Sequence, residues 1–309
     1  MEKSNWTTGK IENLAGKRVL ITGGASGIGY EAARVMVSKG AEVILAVRNM
    51  EKGQRASDKI KSEFPSANIC IMNLDLADLK SIKDFAEKFH KQYTCLDLLI
   101  NNAGVMIPPY KHTKDGFELQ FGTNHLGHFA LTGRLLPLLL STKNSRIVVV
   151  SSIASRGANI YFDNLDGSKG YNPWKFYRQS KFSNLLFGIE LNKRLKDSGA
   201  NTICIICHPG VSATNLMSRG SGKESGKIMK FLFGLAGQPA QMGALPTLFA
   251  ATNTELKGGE YIGPDGRSNH KGNPAISSEG DKLFNAALAK KLWDVSENLT
   301  GITYNFKNL

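Results

Sequence analysis

The fold is decided by the stretch Val19-Leu20-Ile21-Thr22-Gly23-Gly24-Ala25-Ser26-Gly27-Ile28-Gly29. An apolar run, a glycine-rich turn and an amphipathic segment follow one another, which predicts strand, turn and helix. Gly23 permits the tight turn, Gly27 removes a side chain where a pyrophosphate approaches the backbone, and Gly29 lets the helix pack on the strand. The helix N-terminus offers N–H groups and partial positive charge to phosphates, which predicts a dinucleotide site in this context. The predicted contacts in the turn are Gly23, Ser26, Gly27, Ile28 and Gly29.

Short apolar runs alternate with longer amphipathic segments along the rest of the chain. The predicted strands are Arg18–Thr22, Glu42–Val47, Asn68–Asn73, Leu96–Ile100, Arg146–Ser151, Asn201–Cys207 and Glu260–Ile262. The predicted helices lie near Ile28–Ser38, Glu51–Glu63, Leu79–Lys91, Gly116–Leu140, Phe176–Lys196 and Gln241–Ala251. This alternation predicts a doubly wound, Rossmann-type α/β fold with seven parallel strands covered by helices on both faces. No linker divides the chain, so residues 1–309 are expected to form one domain behind a polar leader at residues 1–16.

Composition and charge narrow the class of protein. The chain has 309 residues, of which 41% are hydrophobic and 21% are charged, as in globular proteins. The net charge of +13 is spread along the chain. It fits a solvated basic surface or the steering of an anionic ligand better than nucleic-acid binding. Neither a signal peptide nor a transmembrane run is visible, and four cysteines follow no disulfide spacing. A reducing compartment and a cytoplasmic location are therefore expected.

The end of the second predicted strand bears on the choice of nicotinamide cofactor. An NAD site usually places an acidic residue here to hold the ribose 2′-hydroxyl, whereas this chain has Val47 followed by Arg48. A guanidinium suits a 2′-phosphate, so NADP(H) is favoured over NAD(H). The alternative is an arginine that is merely exposed at a strand end. Lys52 either adds charge there or belongs to the helix surface.

A tyrosine and a lysine four residues apart supply a candidate acid/base pair. Tyr177 and Lys181 share one face of a long predicted helix, with Cβ atoms about 5–6 Å apart. A nearby ammonium favours phenolate, so Lys181 is expected to lower the pKa of Tyr177 from its usual value near 10. Tyr177 would then exchange a proton with a carbonyl or alcohol oxygen. By itself this spacing is common and also fits an ordinary surface pair.

Polar residues that follow other strands strengthen this interpretation. Ser151-Ser152 comes after one apolar strand and Asn101-Asn102-Ala103-Gly104 after another, at the edge where open α/β sheets bind ligands. Asn124 lies in the next helix, where it could hold a water beside Lys181.

These motifs together resemble the short-chain dehydrogenase/reductase family over nearly the whole chain. The motifs are Thr22-Gly23-x-x-x-Gly27-x-Gly29, Asn101-Asn102-Ala103-Gly104, Asn124, Ser152, Tyr177-x-x-x-Lys181 and Pro209-Gly210. The chain is similar to the branch that contains retinol dehydrogenases and the WW-domain-containing oxidoreductase. The supporting segments are Ala46–Asn49, Thr123–Phe129, His208–Gly210 and Lys291–Glu297.

The resemblance implies catalytic roles for four residues. Tyr177 is the general acid/base, and Lys181 binds the nicotinamide ribose and lowers the pKa of Tyr177. Ser152, rather than Ser151, hydrogen-bonds the substrate oxygen, and Asn124 supports a proton relay. The implied reaction is hydride transfer between nicotinamide and a carbonyl compound or an alcohol, with no metal ion.

The resemblance also implies cofactor contacts beyond the glycine turn and Arg48. Asp75 and Leu76 meet the adenine. The residues expected along the rest of the cofactor are Asn102, Ala103, Gly104, Tyr177, Lys181, Pro209, Gly210, Val211 and Thr214. The segment 212–239 is implied to be a substrate lid, where Phe231, Leu232, Phe233 and Leu235 either line an apolar pocket or pack the lid onto the core.

Several alternatives stay open from the sequence. A small, apolar carbonyl or alcohol substrate is expected. The polar leader, in place of an apolar anchor, argues against a retinoid substrate taken from lipid. The rival functions are a catalytically silent nucleotide-binding scaffold or redox sensor, and an epimerase or dehydratase on the same fold. A homodimer paired through long helices is possible.

Cys204 and Cys207 are expected on opposite faces of a buried strand, where they cannot chelate one metal ion. His125 and His128 are interpreted as core or surface histidines.

Overall fold

The structure, a computed structural model, describes residues 4–211 and 238–306. Its centre is a sheet of eight strands in the order β3-β2-β1-β4-β5-β6-β7-β8 within those residues. The strands are β1 (Arg18–Thr22), β2 (Glu42–Val47), β3 (Ile69–Asn73), β4 (Leu98–Asn101), β5 (Arg146–Val150), β6 (Ile203–Cys207), β7 (Tyr261–Pro264) and β8 (Pro274–Ile276). From β3 at the edge, the chain returns to the middle of the sheet and forms β4, which lies next to β1. This crossover gives the doubly wound Rossmann-type topology that the sequence predicts.

The eighth strand departs from the predicted seven. Strands β1 to β7 are parallel to their neighbours, and β8 pairs with β7 antiparallel at the edge of the sheet. Sequence periodicity missed β8 because it has three residues and begins with Pro274. Proline cannot donate a ladder hydrogen bond and is tolerated at an edge position of this kind.

Helices cover both faces of the sheet. They are α1 (Gly27–Ser38), α2 (Met50–Glu63), α3 (Leu79–Gln92), α4 (Leu119–Phe121), α5 (Gly127–Ser141), α6 (Pro173–Asp197), α7 (Ala240–Thr252), α8 (Glu279–Leu283) and α9 (Ala286–Thr300). Successive strand residues alternate between two cores, one shared with α1, α2 and α7 and one shared with α3, α5 and α6. Both faces of each central strand are therefore buried, which explains their continuous apolar runs.

The predicted helix Gly116–Leu140 is interrupted. A π-helical turn, Gly122–Leu126, separates α4 from α5. Such bulges change which backbone carbonyls are available, and they are frequent at functional sites. The amphipathic pattern did not predict the turn, since every residue of it is buried.

The polar leader contributes apolar side chains to the fold. Trp6 and Ile11 are buried, and the Trp6 ring meets the edge of Phe249 with ring centroids 5.3 Å apart. The Ser4 amide donates to Asp265 Oδ2 at 2.8 Å. Residues 4–16 are thus fixed against α7 and the β7–β8 region.

The C-terminal helix covers the outer side of α5 and α6. Trp293 of α9 packs against Phe129 and Phe187, and Tyr304 Oη donates to the Phe129 carbonyl at 2.7 Å. A Cβ at Gly133 would lie 2.5 Å from Ile302 Cγ2, so the tail lies directly on α5. A homodimer stays a prediction, and pairing through this side of α5 and α6 would first require the tail to move.

The predicted lid lies mostly beyond the described residues. The predicted site residues that lie outside the described residues are Thr214, Phe231, Leu232, Phe233 and Leu235. The two flanks of that segment meet, because the Gln238 amide donates to the Val211 carbonyl at 2.8 Å. Within residues 4–211 and 238–306, every helix is too short or too polar to traverse a lipid bilayer.

Candidate active site

A cavity of about 470 Å³ opens where β1, β4, β5 and β6 end. This is the carboxyl edge of the parallel strands, where a ligand site is expected in an open α/β sheet. Most of the predicted site residues line it: Ser26, Gly27, Ile28, Gly29, Asn102, Gly104, Ser152, Tyr177, Lys181, Pro209, Gly210 and Val211. The fold therefore brings the glycine turn, the Asn102–Gly104 turn and the Tyr177–Lys181 pair around one space.

The glycine turn has the geometry that a pyrophosphate needs. Gly23 and Gly27 adopt φ angles of +68° and +60°, in the left-handed region that favours glycine. A Cβ at Gly29 would lie 2.5 Å from Asn102 Nδ2 and 2.8 Å from the Gly23 carbonyl oxygen. The backbone of the turn and the start of α1 therefore face the cavity with no side chain at these points. These features fit a bound dinucleotide phosphate at the helix N-terminus.

A buried histidine fixes the two turns on this side of the cavity. His128 Nδ1 lies 2.9 Å from the Asn124 carbonyl and must donate to it, which leaves Nε2 to accept from Thr22 Oγ1 at 2.9 Å. Thr22 Oγ1 in turn accepts from the backbone amides of Asn102 and Ala103, both at 2.9 Å. Burial lowers the pKa of His128 to about 4, so the ring is neutral and the network keeps this direction. The sequence interpretation of His128 as a core residue omitted this positioning role.

Tyr177 and Lys181 lie one turn apart on α6 and both line the cavity. The Lys181 ammonium donates to the Val150 carbonyl at 3.0 Å, and Ser151 Oγ donates to the Lys181 carbonyl at 2.6 Å. The end of β5 therefore holds Lys181 by both its side chain and its backbone. Ser152, the next residue, lines the cavity.

Burial determines the protonation of this pair, and it corrects the predicted direction for Tyr177. Loss of hydration raises the pKa of Tyr177 to about 12, and the hydroxyl of Ser152 opposes that rise. Burial also lowers the pKa of Lys181 to about 8. The expectation that Lys181 lowers the pKa of Tyr177 considered only their separation. The cost of burying a phenolate is the larger influence on Tyr177.

Asn124 lies beside Lys181, and hydrogen bonds engage its side chain. Its Nδ2 donates to the Val105 carbonyl at 3.0 Å and to Ser180 Oγ at 2.9 Å, while its Oδ1 accepts from the Val105 amide at 2.8 Å. A Cβ at Gly104 would lie 3.1 Å from Asn124 Oδ1 and 3.7 Å from Lys181 Nζ. Asn124 thus holds the segment after β4 against α6, and its part in a proton relay stays a prediction.

Arg48 and Asp75 line a second hollow, separate from the main cavity wall. This hollow measures about 500 Å³ and lies beyond the carboxyl ends of β2 and β3. Arg48 is exposed there, and its carbonyl accepts from Asn73 Nδ2 at 3.1 Å. Of the other predicted cofactor residues, Leu76 is buried, and Gly23 and Ala103 pack against each other behind the cavity.

Sequence reasoning missed part of the cavity wall. The residues not predicted to belong to the site are Met106, Val150, Ser151, Ile153, Ala154, Arg156, Trp174 and Arg178. Trp174 and Arg178 could have been found, because with Tyr177 and Lys181 they complete the i, i+3, i+4, i+7 spacing of one helical stripe. Val150 ends β5, and the others follow β4 or β5 in segments whose path the sequence does not determine.

The two cysteines of β6 face opposite sides of the sheet, as predicted. Cys204 belongs to the core under α3, α5 and α6, whereas Cys207 belongs to the core under α1, α2 and α7. Both thiols are free and fully buried, and burial raises the pKa of Cys207 to about 12. They are apolar packing groups.

Comparison with known proteins identifies the family. The sequence profile of the short-chain dehydrogenases matches residues 17–224. The chain belongs to the short-chain dehydrogenase family. Retinol dehydrogenase 11 of Homo sapiens is 40% identical over 289 residues, and the match covers 94% of this chain and 87% of the relative. Human retinol dehydrogenase 13 is 38% identical, covering 94% of this chain and 86% of the relative. This short-chain dehydrogenase is thus an oxidoreductase of the branch that resembles retinol dehydrogenases.

Solved structures agree on the fold. An uncharacterised protein from Mycobacterium paratuberculosis superposes with a TM-score of 0.79 and 36% identity, over 98% of this chain and 100% of the other. A short-chain dehydrogenase from Shigella flexneri, crystallised with NADP, has a TM-score of 0.63 and 23% identity over 82% of this chain and 98% of its own. At that identity the second likeness concerns the fold alone.

Proposed function

We propose that this short-chain dehydrogenase uses NADP(H) to reduce a carbonyl compound, or to oxidise the corresponding alcohol, with Tyr177 as the general acid/base. One observation carries the proposal. Tyr177 and Lys181 line the same cavity as the glycine turn at the start of α1. A dinucleotide held by that turn would extend along the cavity toward the phenol. When bound, the reduced nicotinamide supplies the hydride that adds to the carbonyl carbon.

Tyr177 supplies the proton in the reductive direction. Because burial raises its pKa to about 12, the phenol carries its proton at neutral pH. As the carbon–oxygen π bond breaks, its electron pair takes the Tyr177 proton, and the product is an alcohol. The phenolate left behind regains a proton from solvent. Alcohol oxidation follows the same atoms in reverse, so the phenol must first lose its proton.

Two neighbours support the phenol. Lys181 stays fixed to the Val150 carbonyl, and its ammonium stabilises the phenolate that forms on proton transfer. The Ser152 hydroxyl interacts with the phenol and lowers its pKa, and its one proton would be donated to the substrate oxygen when a substrate is bound. Pro209, Gly210 and Val211 also line the cavity.

The preference for NADP(H) rests on Arg48. Its guanidinium is exposed at the end of β2, on the same hollow as the carboxylate of Asp75. Arginine holds a phosphate by two parallel hydrogen bonds, whereas the 2′-hydroxyl of NAD usually meets a carboxylate at the end of this strand. Asp75 and Leu76 would contact the adenine from β3.

The substrate class follows from the cavity wall and from the relatives. Met106, Ile153, Ala154 and Val211 are apolar and line the cavity beside the polar reacting groups. The similar human proteins are named as retinol dehydrogenases, which act on an apolar alcohol. An apolar aldehyde, ketone or alcohol is therefore the proposed substrate.

The reaction is tested by following NADPH absorbance at 340 nm with a panel of aromatic, aliphatic and retinoid aldehydes and with ketones. The proposal predicts carbonyl-dependent loss of NADPH and formation of the matching alcohol. Binding of NADPH without turnover of any panel member would contradict it and favour a silent scaffold.

Cofactor choice is tested by the melting temperature with NADP⁺ and with NAD⁺, because a ligand that binds only the folded protein raises it. NADP⁺ is expected to give the larger shift, and Arg48→Asp is expected to reverse the order. Arg55→Gln is the control, since it removes an exposed charge that pairs with Glu51 on α2. Unchanged selectivity in Arg48→Asp would show that Arg48 does not read the 2′-phosphate.

A further inference from the structure

Four side chains of α6 form one stripe along the cavity wall. They are Trp174, Tyr177, Arg178 and Lys181, at offsets of three, four and seven residues, which share one helical face. Tyr177 and Lys181 form the reacting pair of the proposed function. Trp174 and Arg178 form a second pair with the same spacing, and the proposed reaction leaves them without a role.

The guanidinium of Arg178 is fixed by backbone alone. Its Nε donates to the Ala154 carbonyl at 3.2 Å, and its Nη2 donates to the Arg156 carbonyl at 2.6 Å. Among residues 4–211 and 238–306, no carboxylate pairs with it and no acceptor meets its Nη1. Among these residues, Arg178 therefore has no counter-ion, and one nitrogen of its guanidinium has no acceptor.

Arg156, the other arginine of the wall, is already neutralised. Its Nε donates to Glu279 Oε2 at 2.6 Å, its Nη1 donates to the Ser268 carbonyl at 2.8 Å and its Nη2 donates to Asn269 Oδ1 at 2.9 Å. All three guanidinium nitrogens are engaged. This difference singles out Arg178 as the cation of the described wall that, apart from Lys181 of the reacting pair, is available to a ligand.

Trp174 provides an apolar surface next to this charge. Its indole stacks on the Tyr177 ring, with centroids 5.9 Å apart and planes 25° from parallel, and 47% of the residue is exposed. Met106 and Ile153 add apolar wall to the same cavity. A flat or extended apolar group can lie on the indole while its carbonyl meets Tyr177.

We propose that Trp174 and Arg178 form a subsite for the end of the substrate remote from the reacting carbonyl, and that this end carries a carboxylate. The substrate would be an apolar aldehyde or ketone with an acid group, such as an oxo-acid. This inference rests on the proposed function. A guanidinium that has no acidic partner among the described residues and lies next to an apolar platform favours this combination, because a charge-assisted hydrogen bond to a carboxylate gains strength in a partly desolvated cavity.

The test compares matched acids and esters. The substrates are aldehydes with a terminal carboxylate, of increasing chain length, together with 4-formylbenzoate, each paired with its methyl ester. For at least one length, the intact chain is expected to show a kcat/KM for the acid at least tenfold above that for the ester. Arg178→Gln should remove this preference, so that kcat/KM for the acid falls at least tenfold further than kcat/KM for the matched ester.

Two further variants separate the subsite from general effects. Arg178→Lys keeps the positive charge and should therefore retain part of the preference for the acid. Retention in this variant would show that the loss in Arg178→Gln does not come from a disturbed Ala154–Arg156 loop. Lys175→Gln is the matched control, because Lys175 lies on the same helix over the Tyr161 ring and not on the cavity wall. It should leave the preference intact, since overall basic charge is not its source.

The outcomes distinguish the inference from the function on which it rests. If acids and esters are reduced equally at every length, or if Lys175→Gln abolishes the preference as fully as Arg178→Gln does, the subsite is wrong and the reductase stands. If NADPH is not oxidised with any aldehyde of either series, both proposals fall.

Discussion

His128 is a residue whose burial has a measurable consequence for stability. Its folded pKa of about 4 lies below the ordinary value of 6.5, because burial disfavours the charged ring. Between pH 4 and pH 6.5, the unfolded chain therefore binds more protons at His128 than the folded protein does. The stabilising contribution is complete above pH 6.5 and is lost as pH falls toward 4.

We expect the free energy of unfolding of the intact chain to fall more between pH 7 and pH 5 than that of His128→Gln. The additional fall in the free energy of unfolding of the intact chain is on the order of 2 kcal/mol, because each pH unit contributes 1.36 kcal/mol over about 1.5 pH units. Urea unfolding at both pH values measures it. His125, His208 and Glu118 also have shifted pKa values, but they titrate in both proteins and cancel in the comparison. Equal pH dependence of the two proteins would show that His128 is not neutral in the fold.

At the scale of single elements, the glycine turn depends on the absence of side chains. A Cβ at Gly29 would meet both Asn102 Nδ2 and the Gly23 carbonyl at less than 3 Å. Gly29→Ala must therefore shift the turn or α1, at a cost of about 1–3 kcal/mol. We expect a lower melting temperature and at least tenfold weaker binding of NADP⁺.

Gly9→Ala is the control for that substitution, because its Cβ would come no closer than 3.4 Å to any atom. Isothermal titration calorimetry with NADP⁺ compares the two variants. Cofactor affinity in Gly29→Ala equal to that of Gly9→Ala would contradict a phosphate site at this turn.

Elements differ in how far the sequence determines them. Strands β1 to β7 were predicted because each is a short run rich in apolar residues, and runs of that length between turn residues favour strands over helices. The π-helical turn at Gly122–Leu126 was not predicted, because such a turn differs from an α-helix only in which carbonyl accepts from each amide. Within the site, motif spacing placed Tyr177, Lys181 and Ser152 together. The raised pKa of Tyr177 depends on burial, which spacing does not reveal.

At the scale of the whole molecule, the C-terminal helix α9 is an element that the strand-and-helix pattern of the sequence did not predict. Trp293 lies against Phe129 and Tyr304 with ring centroids 5.2 and 4.6 Å away, and the guanidinium of Arg194 lies 4.2 Å over its ring. The helix thereby joins the tail to α5 and to α6, and α6 carries part of the cavity wall.

Trp293→Ala is expected to destabilise the protein by about 3–5 kcal/mol, as the removal of a large buried aromatic usually does. Thermal unfolding measures the loss, and Leu299→Ala on the exposed side of the same helix should have little effect. A small effect of Trp293→Ala would mean that α9 contributes little to the core. Sedimentation of the intact protein at several concentrations tests the predicted homodimer independently.

The proton transfer by Tyr177 is tested most directly by single-turnover oxidation of bound NADPH with the best carbonyl of the panel. Tyr177→Phe removes the acidic proton and is expected to slow this step by about 100-fold or more, while NADPH still raises the melting temperature. Tyr161→Phe, which removes a phenol outside the cavity, should react like the intact chain. Turnover by Tyr177→Phe within threefold of the intact rate would contradict the proposed role of Tyr177.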